Sequence, residues 1–319
     1  PAVEAARLSR AVGAPVHVGW NRTEEMRDGF VRPLTHHRLS GMLNDKGQIE
    51  ALMHEQASGD ALFGGFPAPV GKVLGFDFGS TRGAQIPYGI ANRDTTVWRH
   101  PMPIPTGSWR GLGLMANVFA IESFIDELAH AAGADPLQFR LSHLPDDAIG
   151  RRMRAALQAA ADRSDWGNGL PEDRGRGIAL ATDGGTVVVE VAEITLDQDS
   201  GRIRVHRVVA AVDPGRVINP DGARAQIEGS IVMGTSAALL EEITVKDGRV
   251  QAGNFDRYPL IRMAEAPDVE TILLEAPDGK PRGLGEPPIG PIAPAIGNAF
   301  FSLTGVRLRR LPMTPDRVK

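Results

Sequence analysis

The sequence predicts an α+β protein of about two domains, built from mixed sheets with packed helices. Three observations predict it. Strand-like runs gather at 36–57 and again at 176–212, where strand follows strand without a regular helical crossover. One stretch, 114–132, has a helical period, with Leu114, Val118, Ile121, Phe124, Ile125 and Leu128 spaced for one face. The chain has 319 residues, 42 % of them hydrophobic, which is enough for sizeable cores.

The elements follow in order. Residues 2–12 form a helix with Gly13 as its C-cap, and Val16–Trp20 form a short strand. Asn21 caps a short helix, and Asn44-Asp45-Lys46-Gly47 turns a hairpin between strands 36–44 and 47–57. Residues 58–85 are Gly-rich and irregular, 93–99 is a strand, and Pro101–Pro105 is extended. After helix 114–132 come helices at 135–143 and 148–163. A polar, Gly-rich stretch, 164–175, serves as the linker between domains. Beyond it lie strands 176–181, 185–197 and 202–212, helix 221–240, a hairpin at Lys246-Asp247-Gly248, a Pro/Gly-rich loop 281–294 and helix 295–304.

Composition excludes some functions. The chain has no cysteine, hence no disulfide, no thiolate nucleophile and no cysteine-ligated iron–sulfur cluster of its own. A net charge of −4 announces no nucleic-acid partner. No apolar run is long enough to cross a membrane as a helix. The 37 glycines and 24 prolines point to many rigid turns, some close to a ligand.

Three segments could carry chemistry. In Gly283-Leu284-Gly285-Glu286-Pro287-Pro288, one carboxylate stands between a permissive glycine and two prolines that fix the chain after it. That is the setting a general base needs. In Gly107-Ser108-Trp109-Arg110-Gly111-Leu112-Gly113, glycines and an arginine precede the long helix and suit an anion or polar oxygen. In Asn219-Pro220 and Gln226-Ile227-Glu228-Gly229, a capped helix start is followed by a glutamine and a glycine that could face a ligand. Each segment also has a plain reading: a stiff surface loop, a structural turn and a helix contact. His36-His37 begins a strand, so the two rings point to opposite faces and make no natural metal pair. Glu122, Asp126 and Glu127 are expected on the wet face of helix 114–132.

Taken together and in order, these segments resemble the molybdenum-binding subunits of the xanthine dehydrogenase/aldehyde oxidase family. Trp109–Gly113 resembles its Phe-Arg-Gly-Phe-Gly loop, Gln226–Gly229 its Gln-Val-Glu-Gly helix, and Gly285–Pro288 its glutamate loop. Asn117–Phe124 and Pro291–Ala295 are similar to the branch that includes the large chains of isoquinoline 1-oxidoreductases, nicotinate dehydrogenases and membrane-associated aldehyde dehydrogenases. The resemblance implies a molybdenum cofactor, in the molybdopterin cytosine dinucleotide form, with the metal held through the pterin and not by protein ligands. It implies Glu286 as catalytic base, with Arg110, Gly111, Gln226 and Gly285 at the cofactor and Trp109 and Leu112 at the substrate. Leu112 stands where purine hydroxylases carry an aromatic, which argues against xanthine.

The implied reaction oxidises an aldehyde or N-heteroaromatic C–H with water as oxygen source. Its electrons leave to a small 2Fe–2S subunit, and a cytochrome c subunit fits as a further partner. The expected domains are 1–165, a first cofactor-binding domain lacking its N-terminal portion, and 166–319, a second one with the glutamate loop. The family's Gly-rich cofactor loop precedes Pro1, so this stretch alone is expected to bind no cofactor and to be inactive. The competing functions are a non-catalytic scaffold of the same fold and an unrelated hydrolase using Glu286. Both a periplasmic and a cytoplasmic complex fit.

Overall fold

The computed structural model describes residues 1–65, 76–100, 102–276 and 278–319. Its elements in chain order are α1 (Ala2–Val12), α2 (Arg22–Asp28), β1 (Thr35–Leu43), β2 (Ile49–Ser58), β3 (Asn92–Arg99), α3 (Leu114–Ala131), α4 (Pro136–Ser142), α5 (Ala148–Arg163), β4 (Arg174–Asp183), β5 (Thr186–Asp197), β6 (Arg202–Asp213), α6 (Pro220–Leu239), β7 (Val245–Lys246), β8 (Arg249–Val250), β9 (Asp268–Leu273), α7 (Ile289–Thr304) and α8 (Pro315–Val318).

The first sheet has the order β1-β2-β3, antiparallel then parallel. Its hairpin turn forms as expected, because Asn44 Oδ1 accepts the N–H groups of Lys46 and Gln48 and Gly47 takes a φ of 72°. Ile49 and Leu52 of β2 bury against Ile121, Ile125 and Leu128 of α3. Asp135 and Asp147 cap α4 and α5 through their side chains.

The second sheet runs β4-β5-β6-β9, with β9 parallel to β6. Both of its faces are covered, which is why β5 reads as an almost continuous apolar run. On one face Met153 and Leu157 of α5 meet Val187, Val189 and Val191. On the other, Ile227 and Ile231 of α6 and Ile292 and Ile296 of α7 meet Val188, Ala192 and Val208. The backbone of α7 presses on β4: a Cβ at Gly177 would lie 2.2 Å from the Ala299 nitrogen. Leu114, Met115, Val118 and Phe119 of α3 enter this second core, so α3 and α7 pack together and the two halves share apolar contacts.

Four expectations need correction. Residues 16–20 form no strand. The strand β9 was not legible: its sequence, Asp-Val-Glu-Thr-Ile-Leu, carries two acids and pairs only through long-range contact with β6. Helix α7 begins at Ile289 and not at 295, with Pro291 in its first turn and Pro294 inside. Pro291 costs nothing there, since the first N–H groups lack helical partners anyway, and complete burial of 289–300 outweighs the bond lost at Pro294.

The fourth correction concerns Glu122 and Asp126, which are buried and not on a wet face. Glu122 accepts from Tyr88 Oη (2.6 Å), Arg140 Nε (2.9 Å) and the Leu180 N–H (2.9 Å). Asp126 accepts from Arg307 Nη2 at 2.7 Å, and Arg307 Nη1 donates to Asn298 Oδ1. A helical period cannot separate a solvated acid from one buried with an arginine that arrives from another element. Part of the extended stretch 101–105 and of the irregular stretch 58–85 lies outside the described residues.

Candidate active site

Two loops meet where the N-terminal ends of α3 and α7 lie side by side. Loop 107–113 runs into α3, and loop 283–288 runs into α7. The contact is close: a Cβ on Gly111 would stand 2.5 Å from Ile289 Cγ2, and Gly111 has a φ of 84°. Glycine is required there on both counts. The next residue, Leu112, also takes a left-handed φ, 52°, which costs roughly 1–2 kcal/mol for a residue with a side chain.

The Glu286 carboxylate is held at both oxygens. Oε1 accepts the Gly111 N–H at 2.9 Å, and Oε2 accepts Arg82 Nη1 at 2.6 Å. Arg82 also grips Asp183, through Nε at 3.1 Å and through Nη2. Burial raises the Glu286 pKa, but the Gly111 N–H and Arg82, with Arg110 further off, outweigh it and hold the carboxyl below its ordinary value. The adjoining helix N-termini favour the same anionic form.

Arg110 is not a free charge. Its Nε donates to the Gly285 carbonyl (2.5 Å), and its Nη2 donates to the Gln226 carbonyl (3.0 Å) and Oε1 (3.2 Å). It thus ties the glutamate loop to α6. Arg110, Gly111, Gln226, Gly285 and Glu286, expected from three distant stretches of sequence, form one connected constellation. Trp109 lies at its edge, 44 % exposed, with its carbonyl accepting the Leu112 N–H. Leu112 is half-buried.

Sequence reasoning missed Arg82, Asp183 and Arg32. Arg82 sits in Thr81-Arg82-Gly83, within the irregular stretch, and Asp183 ends β4. No spacing rule links 82, 183 and 286. An arginine between small residues in a Gly-rich loop was the available signal. Arg82 and Asp183 also line a cavity of about 620 Å³ together with Thr81, Gln85, Thr95 and Thr182. Arg32 donates to the carbonyls of Arg110 (2.9 Å) and Leu112 (2.6 Å), on either side of Gly111.

His37 Nδ1 lies 3.0 Å from His54 Nε2, and burial, with His54 and His36 nearby, pushes the His37 pKa down to about 3. Among the described residues no group of three or more His, Cys, Asp or Glu could hold a metal ion.

The fold is α+β, with one carboxylate fixed between a backbone amide and a guanidinium where α3 and α7 start side by side. The chain belongs to the molybdopterin cofactor-binding domain family, which it matches over residues 1–144 and again, with a second such domain, over 147–267. It is 34 % identical over 318 residues to the β chain of isoquinoline 1-oxidoreductase from Brevundimonas diminuta, a match covering 98 % of this chain and 40 % of that one. It is 33 % identical to a nicotinate dehydrogenase chain of Pseudomonas putida, covering 99 % of this chain and 28 % of that one. The chain therefore spans less than half the length of these relatives. The fold matches quinoline 2-oxidoreductase from Pseudomonas putida 86 with a TM-score of 0.82 at 14 % identity, over 99 % of this chain and 65 % of that one.

Proposed function

We propose that this chain is part of the molybdenum-binding subunit of an oxidoreductase that oxidises an aldehyde or an electron-poor N-heteroaromatic C–H, with Glu286 as the base. The observation that supports it is the fixed, anionic Glu286 carboxylate between Gly111 and Arg82. The names of the relatives, an isoquinoline oxidoreductase and a nicotinate dehydrogenase, support the substrate class.

The residues present leave room for a cofactor beside Glu286. A Cβ on Gly285 would come no closer than 3.8 Å to Gln226 Oε1, one on Gly229 would lie 3.8 Å from Arg110 Nη1, and one on Gly283 would meet nothing within 4 Å. Open glycines therefore flank Arg110 and Gln226. Gln226 is exposed, and among the described residues nothing accepts from its amide nitrogen. Arg110, Gly111, Gln226 and Gly285 would hold the molybdenum cofactor, in its cytosine dinucleotide form. Bound there, it supplies the two-electron oxidant.

The rest of the chemistry belongs to this chain. Glu286, ionised at neutral pH, takes a proton from water as its oxygen goes to the substrate carbon. Arg82 holds the carboxylate in place while it waits. The Gly111 N–H favours the charged form of the base. Trp109 and Leu112 border the substrate, whose carbon gains the oxygen as its C–H bond breaks, the hydrogen leaving with that bond's two electrons to the oxidant the cofactor would supply. With no cysteine in the chain, those electrons leave to a 2Fe–2S subunit and from there to a cytochrome c subunit. No helix among the described residues is long and apolar enough to cross a membrane.

The two cofactor-binding domains proposed here are 1–165 and 166–319, with α5 packed on the second sheet through Met153 and Leu157. The test is Glu286→Gln in the full-length subunit produced with its partners. Loss of turnover with unchanged molybdenum and pterin content is the expected result. Unchanged turnover would remove Glu286 from the chemistry, and absence of molybdenum from the wild type would favour a scaffold.

A further inference from the structure

Arg32 is an arginine with an unusual set of partners. Among the described residues no carboxylate lies within 4 Å of it, while Glu241, Tyr258 and Glu286 act on it at longer range. Its two terminal nitrogens go instead to two carbonyls, those of Arg110 and Leu112. The residue between them is Gly111, whose N–H donates to Glu286 Oε1. The same three-residue stretch holds two consecutive left-handed residues, Gly111 and Leu112. A leucine does not adopt that conformation without outside support.

The segment carrying Arg32 is itself zipped to the loop. The Val31 N–H donates to the Pro105 carbonyl and the Gly107 N–H to the Val31 carbonyl, each at 3.1 Å, with Val31 and Thr106 forming a parallel bridge. Arg32 therefore arrives beside loop 107–113 at a fixed height. A guanidinium can span two carbonyls two residues apart because its donors form a rigid fork; a lysine ammonium is a single point.

We propose that Arg32 is a positioning residue: its grip on the carbonyls of Arg110 and Leu112 fixes the Arg110–Gly111 peptide so that its N–H, on the side opposite the gripped carbonyl, faces Glu286. The carboxylate orientation that the proposed oxidation uses thus depends on a side chain from the far end of the sequence. This rests on Glu286 being the base, as proposed above. The grip itself does not.

The test uses the full-length subunit, with its partners and cofactor, as wild type, Arg32→Lys and Arg32→Ala. Amide hydrogen exchange across 107–113 reports the grip directly and needs no turnover. Arg32→Lys is expected to speed exchange there about tenfold while the rest of the protein stays protected. kcat is expected to fall about tenfold and KM to rise by less, a few fold, because the base loses its fixed orientation while Trp109 and Leu112 keep their side chains in a looser loop. The acidic limb of the pH–rate profile moves to higher pH, since the bond favouring the carboxylate is lost. Added guanidinium ion, below denaturing concentration, restores part of the turnover of Arg32→Ala; a merely structural defect would be worsened by it.

Unchanged exchange across 107–113 in Arg32→Lys would overturn the proposal, as would a loss of protection spread over the whole fold. If Glu286→Gln proves fully active, the functional reading fails, yet the exchange data still decide whether Arg32 holds the loop. If Arg32→Ala does not fold, Arg32→Lys carries the test alone.

Discussion

Arg82 bridges the Glu286 carboxylate, at 2.6 Å from Oε2, to Asp183 at the end of β4, 101 residues further along the chain. The Asp183 side chain is only 10 % exposed, so the arginine cannot be removed without leaving an acid in poor solvent. Arg82→Met is expected to raise the pKa of Glu286. The sign follows from the depressed value: the native carboxyl favours the charged form, so its contribution to stability is present above the unfolded pKa and lost as pH falls through the folded one. Because the Glu286 side chain is 40 % exposed, that contribution is small, about 0–1 kcal/mol. Activity is the better readout, and the acidic limb of the pH–rate profile should move to higher pH in the variant. An unmoved limb would show that Arg82 does not set the charge of Glu286.

Gly111 is expected to tolerate no side chain. Gly111→Ala adds a methyl 2.5 Å from Ile289 Cγ2 and forces alanine to a φ of 84°. The variant should lose most turnover while its melting temperature falls by only a few degrees, since loop 107–113 can give way without opening either core. Adding Ile289→Ala removes the clashing Cγ2 and not the dihedral strain, so it should restore a part of the turnover at some cost in core packing. Wild-type turnover in Gly111→Ala would mean that the loop geometry is not needed.

Much of this architecture was legible because it rests on local signals. The hairpin at Asn44–Gly47, the caps at Asn21 and Asn219, the apolar face of α3 and the three consecutive strands β4–β6 are written in short-range chemistry. The Glu286 and Arg110 loops announced themselves through glycines and prolines around a single charge. What was not legible depends on partners distant in sequence. Arg82 and Asp183 meet across 101 positions, and Glu122 meets Arg140 from the next helix. A sequence shows each of these charges alone, and a lone charge on a helix reads as solvated. The start of α7 was hidden for a related reason: its prolines look like a loop until the burial of the whole segment is known.

The buried Glu122–Arg140 pair makes a prediction about α3, the helix that loop 107–113 runs into. Both side chains are fully buried, and the pair links α3 to α4, to β4 through Leu180, and to Tyr88. Removing one partner strands the other charge. Arg140→Met should therefore cost about 3–5 kcal/mol, read as a lower denaturant midpoint. Replacing Glu122 and Arg140 together by apolar residues of similar size should cost less than Arg140→Met alone. Equal losses would mean that the pair acts through packing and not through charge.

Glu190 makes the opposite case, because among the described residues it has no partner. It lies in the middle of β5 between Ala179 of β4 and Ala210 of β6, fully buried, and neither carboxyl oxygen has a hydrogen-bond partner among the described residues. Burial pushes its pKa well above the ordinary value, so the folded protein keeps it as the neutral acid. In the unfolded chain the same group ionises at its ordinary pKa of about 4.5. Between those two values the unfolded state binds fewer protons than the native one. Stability is therefore full below the unfolded pKa and falls as pH rises, by about 1.4 kcal/mol per pH unit, until the folded carboxyl ionises as well. Glu190→Gln keeps the shape and removes the titration. The variant should match the wild type near pH 4 and be more stable at pH 7.5, in equilibrium denaturation at both. A wild type as stable as the variant at pH 7.5 would mean that Glu190 is already charged in the fold.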